Sequence, residues 1–110
     1  MTDMATLTEQ DFRVRSDEAL EQARRALLPL SDEAGFEVEF SEGTLNLLFD
    51  EPSEARFVVS PNAPVRQIWV SAMAKSYKLS WEPEAVTFAL NGETLPRLLD
   101  RLTRQFLQSA

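Results

Sequence analysis

The chain has no cysteine and no histidine. Together those absences exclude disulfides, thiolate nucleophiles, cysteine-ligated iron–sulfur clusters, zinc-finger sites and imidazole catalysis. Any bound metal must sit on oxygen ligands, which suits hard cations held weakly. A basic surplus is also missing: 11 Lys and Arg stand against 18 Asp and Glu, a net charge of −7 at pH 7. No stripe of Lys and Arg exists to displace counterions, so nucleic acid is not an expected partner. A basic protein surface or a metal cation fits the field better. No apolar run approaches the roughly twenty residues of a membrane span. Met1-Thr2-Asp3-Met4-Ala5-Thr6 has no basic n-region, no apolar h-region and no transit-peptide arginines, so no targeting segment is visible. A glycine-rich phosphate loop and a serine in a nucleophile setting are lacking too, so the chain is not expected to be an enzyme.

What is present is an ordinary globular composition. With 110 residues, 44% hydrophobic and 26% charged, the chain is sized for one domain with one core, spanning residues 1–110 with a frayed end over 1–6. Leu7-Thr8-Glu9-Gln10-Asp11-Phe12 reads as a helix start, with Thr8 as N-cap and Leu7 and Phe12 as a hydrophobic staple. Phe12, Ser16, Ala19, Leu20, Ala23, Leu27 and Leu30 follow a helical period on one face. Pro29 lacks an N–H and predicts a kink or stop near Leu28, with Ser31-Asp32-Glu33-Ala34-Gly35 as a connection. The opposite face carries Asp17, Glu18, Glu21, Arg24 and Arg25. Asp17 and Glu21 are one turn apart, and Glu21 precedes Arg25 in the orientation of a weak stabilising pair.

Six strands follow. Phe36-Glu37-Val38-Glu39-Phe40 alternates, with both glutamates outward. Ser41-Glu42-Gly43 turns into Thr44 to Phe49, whose Leu45, Leu47 and Phe49 face inward. Asp50-Glu51-Pro52-Ser53 turns again before Arg56 to Ser60, and Pro61-Asn62-Ala63-Pro64 reads as a loop. In Gln67-Ile68-Trp69-Val70-Ser71, Ile68 and Val70 can be buried with Ala72 as one row. Trp69 then points from the other face with Gln67 and Ser71. Ser76 to Trp81 is strand five, and Val86, Phe88 and Leu90 alternate in a short sixth. Asn91-Gly92 turns, and Thr94 caps a second helix striped by Leu95, Leu98, Leu99, Leu102 and Phe106. Short turns between successive strands predict antiparallel pairing. The expected fold is α+β, a two-layer sandwich with both helices on one face of a roughly six-stranded sheet and the other face open.

Several of these residues resemble the frataxin family, including its bacterial CyaY members, from about Leu7 to Phe106. The most specific part is Phe57-Val58-Val59-Ser60, a proline-containing loop, then Pro64-Val65-Arg66-Gln67-Ile68-Trp69-Val70-Ser71. Ser41-Glu42-Gly43-Thr44-Leu45 resembles the family's turn into strand two, and Asn91-Gly92-Glu93-Thr94-Leu95 its lead into helix two. The resemblance implies a cytoplasmic, monomeric bacterial protein of iron–sulfur cluster assembly and iron homeostasis. It implies a partner, the cysteine desulfurase and scaffold complex, contacted through Gln67, Trp69 and Ser71 and through Asp17, Glu18 and Glu21. It also implies weak carboxylate binding of ferrous or ferric iron by Asp11, Asp17, Glu18, Glu21, Asp32, Glu33, Glu37 and Glu39, in the manner of an iron chaperone.

Three departures temper this. Arg24, Arg25, Leu28 and Pro29 stand where bacterial members carry further acids, which argues against iron storage and ferroxidase activity. Ala74-Lys75-Ser76 replaces a Gly-Gly or Gly-Pro. A C-terminal tail that packs between the helices in some members is not seen, so thin cover near Leu30 and Phe106 and modest stability are expected. From the residues alone, Trp69 is equally a tryptophan lying flat on its sheet or a partner anchor, and Glu37 and Glu39 are equally solubilising residues on an edge strand. The alternative class is an acidic secretion chaperone, also small and α+β, which would wrap an effector segment and dimerise.

Overall fold

The computed structural model describes residues 7–109; the frayed end expected over residues 1–6 lies outside them. A long helix α1 (Glu9–Ala34) is followed by β1 (Glu37–Ser41), β2 (Thr44–Phe49), β3 (Ala55–Asn62), a 3₁₀ turn (Ala63–Val65), β4 (Gln67–Ala72), β5 (Lys75–Glu82), β6 (Thr87–Leu90), β7 (Glu93–Thr94) and α2 (Leu95–Leu107). The strands form one antiparallel sheet in sequence order, and both helices pack on one face of it. The fold is therefore α+β, as expected, with seven strands instead of six.

α1 starts where its sequence says. The Thr8 hydroxyl accepts from the Asp11 N–H at 3.1 Å, filling one of the orphan donors of a helix N-terminus. Phe12, Ser16, Leu20, Ala23, Leu27 and Leu30 are buried along one stripe. Pro29 does not end the helix, contrary to the stop expected near Leu28. Pro29 and Arg25 are exposed, so the Arg25 carbonyl left without a donor faces water. The helix instead ends at Gly35, whose φ of 81° lets its N–H reach the Ser31 carbonyl at 2.8 Å. Asp32 and Glu33 thus lie in the last helical turn rather than in a connection.

The sheet register fixes two faces. Leu45, Leu47, Phe49, Phe57, Val59, Ile68, Val70, Ala72 and Leu79 are buried under the helices at no more than 2% exposure. Phe49 is the hub of an aromatic cluster, with ring centroids 4.8 Å from Phe36, 4.8 Å from Phe57 and 4.7 Å from Phe106. Such contacts are worth about 0.5–1.5 kcal/mol each beyond their area. Leu30 and Phe106, where thin cover was expected, are buried at 9% and 7%, the highest exposures in this core.

Three boundaries differ from expectation. β3 continues through Pro61 and Asn62, with Pro61 paired to Ile68. β2 stops pairing at Val59, leaving an unpaired side of β3 where a missing N–H costs no ladder bond. Val86 is outside β6, 57% exposed and at a φ of 52°. Thr94 is in N-cap position, but its side chain makes no capping bond. Its backbone instead pairs with Ala89, which creates β7 across the Asn91–Gly92 turn.

Candidate functional site

The covered side of the sheet is hydrophobic core, so the open side is where side chains can meet a partner. Register places Trp69 between Ser60 on β3 and Lys78 on β5. Gln67 lies between Asn62 and Ser80, and Ser71 between Val58 and Ser76. Ile68, Val70 and Ala72 are all buried, so the pleat forces Gln67, Trp69 and Ser71 to the uncovered face. Trp69 is half-buried there.

The indole is held from two sides. Its Nε1–H donates to Gln67 Oε1 at 2.9 Å, and Gln67 Nε2 in turn donates to Ser80 Oγ at 3.4 Å. The Lys78 ammonium lies 4.8 Å from the ring centroid, within range of a cation–π attraction worth about 0.5–1 kcal/mol at an exposed site. The polar edge of the indole is thus satisfied within the protein. What remains for a partner is the part of the ring that the Lys78 ammonium lying over it leaves exposed, already oriented by Gln67. Lys78 was missed from sequence: its period in strand five puts it on the outer face, but only the pairing register puts it opposite Trp69.

The carboxylates named from sequence are not brought together. Asp11, Asp17 and Glu18 are exposed on α1. Glu18 lies 3.5 Å from Arg15, a loose pair. Glu21 is taken by two arginines: Arg24 donates to it at 2.6 and 2.9 Å and Arg25 at 3.1 Å. Hydrogen bonding and charge from Arg24, followed by Arg25, hold the Glu21 carboxyl down at about 2. Asp32 lies eleven residues beyond Glu21 on the same helix, about 16 Å by helical rise, and Glu33 one residue further. Glu37 and Glu39 pair in register with Leu48 and Asn46 and share the open face of the sheet, in the layer away from α1.

Iron held as a resident group is therefore not supported by the donor set. Among the described residues no three acidic side chains are grouped to share a cation, and the central carboxylate of α1 is occupied by guanidinium groups. Separate carboxylates on a solvated surface can attract a hydrated cation without enclosing it. Glu93 repeats the α1 pattern. Arg101 donates to it at 2.8 and 2.9 Å and pulls its carboxyl below the usual range. No described helix is long and apolar enough to cross a membrane.

Comparison with known families finds a match to the Frataxin-like domain over residues 5–109. No curated protein matches the chain.

Proposed function

The chain belongs to the frataxin family, and on that premise we propose that it regulates iron–sulfur cluster assembly as a protein contact first and an iron carrier second. Membership implies a role in cluster assembly and iron handling, in a family of generally non-catalytic regulators. The finer reading is a single frataxin-like domain, monomeric and cytoplasmic, that docks the cysteine desulfurase and scaffold complex through the open sheet around Gln67, Trp69 and Ser71. The observation that carries it is Trp69 itself. An indole half-buried on an uncovered sheet face, with its N–H already bound to Gln67, needs no ordering before it meets an apolar partner surface. Asp17, Glu18 and Glu21 assist as a surface field that attracts a basic partner. Iron is cargo in this reading, loosely associated with Asp11, Asp17, Glu18, Asp32, Glu33, Glu37 and Glu39. The secretion-chaperone reading gives way to family membership.

A pull-down of the desulfurase and scaffold, repeated with Trp69→Ala and with charge reversal at Asp17, Glu18 and Glu21, tests the assignment. Wild-type capture that Trp69→Ala weakens, with the circular dichroism spectrum unchanged, is expected. Full capture by Trp69→Ala would place the contact elsewhere. Unfolding of that variant would make Trp69 a core residue.

A further inference from the structure

β1 is an outer strand of the sheet. β2 pairs one side of its backbone, and no described strand pairs the other. Four of its five residues are exposed, so most of the strand is open to solvent. On the helix side of the strand Val38 is half-buried against the core and Phe40 is 44% exposed. On the other side Glu37 and Glu39 project, and Glu42 follows at the turn.

An unpaired edge with an apolar row on one face is a template for a further strand. Charge decides which strand fits. Antiparallel pairing with a second copy of β1 would set Glu37 against Glu39, or Glu39 against itself, and like charges directly opposite are destabilising. Lysine or arginine at those opposing positions turns the same contacts into attraction. Aliphatic residues between them would fall opposite Val38 and Phe40 and cover both.

We propose that the free edge of β1 is a strand-addition site for an extended peptide segment that alternates aliphatic and basic residues. The segment completes the ladder on the unpaired side of β1, pairs its basic side chains with Glu37 and Glu39, and covers the exposed ring of Phe40. The site is separate from the Trp69 contact: β1 and β4 are three strand spacings apart, about 14 Å.

The test is a titration of the ¹⁵N-labelled protein with a capped peptide of alternating valine and lysine, beside the same peptide with glutamate in place of lysine. The lysine peptide is expected to shift the amides of Glu37 to Ser41, to slow their hydrogen exchange, and to bind about tenfold more tightly than the glutamate peptide. Glu37→Lys with Glu39→Lys should reverse that preference. Glu37→Gln with Glu39→Gln, which keeps side-chain size, should remove it. Binding indifferent to the sign of the peptide, or shifts centred on Trp69 and absent from β1, would overturn the proposal. Shifts on β1 without added exchange protection would reduce the site to an ion-pair contact and overturn strand addition. Neither result bears on Trp69→Ala in the pull-down.

Discussion

The outer face of α1 and the open face of the sheet differ in how their polar groups are used. α1 carries the denser charge, yet its groups lie along a helix and answer one another: Glu9 to Arg13, Arg15 to Glu18, Glu21 to Arg24 and Arg25. Such exposed pairs add little to stability, and they lower the field a cation would feel. The open sheet has few charges, but adjacent strands bring Gln67, Trp69, Lys78 and Ser80 into one interlocked group. Charge density read along a sequence is not convergence, and the side chains that converge here lie on the sheet.

The largest effect that could break this contrast is on partner binding. Trp69→Ala should weaken capture of the desulfurase and scaffold by about 1–4 kcal/mol. Charge reversal at Asp17, Glu18 and Glu21 should cost less and lose most of its effect in high salt, because exposed charges steer association more than they hold the complex. Calorimetry of both variants at two ionic strengths decides it. If the helix variant is the worse binder at high salt, α1 is the primary contact.

The next effect is on stability and concerns the hairpin that carries Trp69. Met73 and Ala74 close it with φ values of 51° and 64°, a left-handed pair that fits the strand twist but penalises side chains. The equivalent turns at Glu42–Gly43 and Asn91–Gly92 each place a glycine at the second position. Met73→Asn with Ala74→Gly should therefore stabilise the domain by about 1–2 kcal/mol, read as a higher Tm. Partner binding should be unchanged. A loss of binding would extend the docking surface to the exposed Met73.

Much of this architecture was legible because period and punctuation agreed. The alternation in Thr44 to Phe49 and the three-and-four spacing of Leu95, Leu98, Leu99 and Leu102 identify buried faces without ambiguity. Pro29 and Pro61 misled because each marks the loss of a donor, and the sequence does not show whether that donor had an acceptor. Solvent at Arg25 and the unpaired side of β3 made both losses harmless. β7 was invisible because two residues hold no pattern. At the site, Trp69's face followed from period two alone. Its partner Lys78, and the separation of Glu37 and Glu39 from the carboxylates of α1, depended on register and layer.

A smaller stability effect comes from α2. Thr103 is fully buried, and its hydroxyl has no hydrogen-bond partner. Thr103→Val keeps the shape and removes the unpaired group, so it should stabilise the domain by about 1 kcal/mol in urea unfolding. Because Thr103 lies between the two faces compared above and belongs to neither, this variant also gives a sturdier background for Trp69→Ala. The same binding loss in both backgrounds would separate contact from fold.

The smallest effect tests the neutralised state of α1. Carbon-detected titration should find the Glu21 carboxyl protonating near 2, against an ordinary value of 4.5. Since the folded value is the lower one, its contribution to stability is complete above the unfolded value and is lost as pH falls from there through about 2. Salt should raise the midpoint, as expected for an exposed pair. Arg24→Gln with Arg25→Gln should return it towards 4.5, because those two guanidinium groups are its cause. The same double variant removes two cations from a face that also bears Asp17 and Glu18. Paramagnetic broadening by Mn²⁺ around Asp17 to Glu21 should then become stronger than in the wild type. If the midpoint recovers but the broadening does not grow, the arginines hold Glu21 without suppressing cation attraction. The weak metal response of α1 would then follow from the spread of its carboxylates along the helix, which no substitution of arginine can correct.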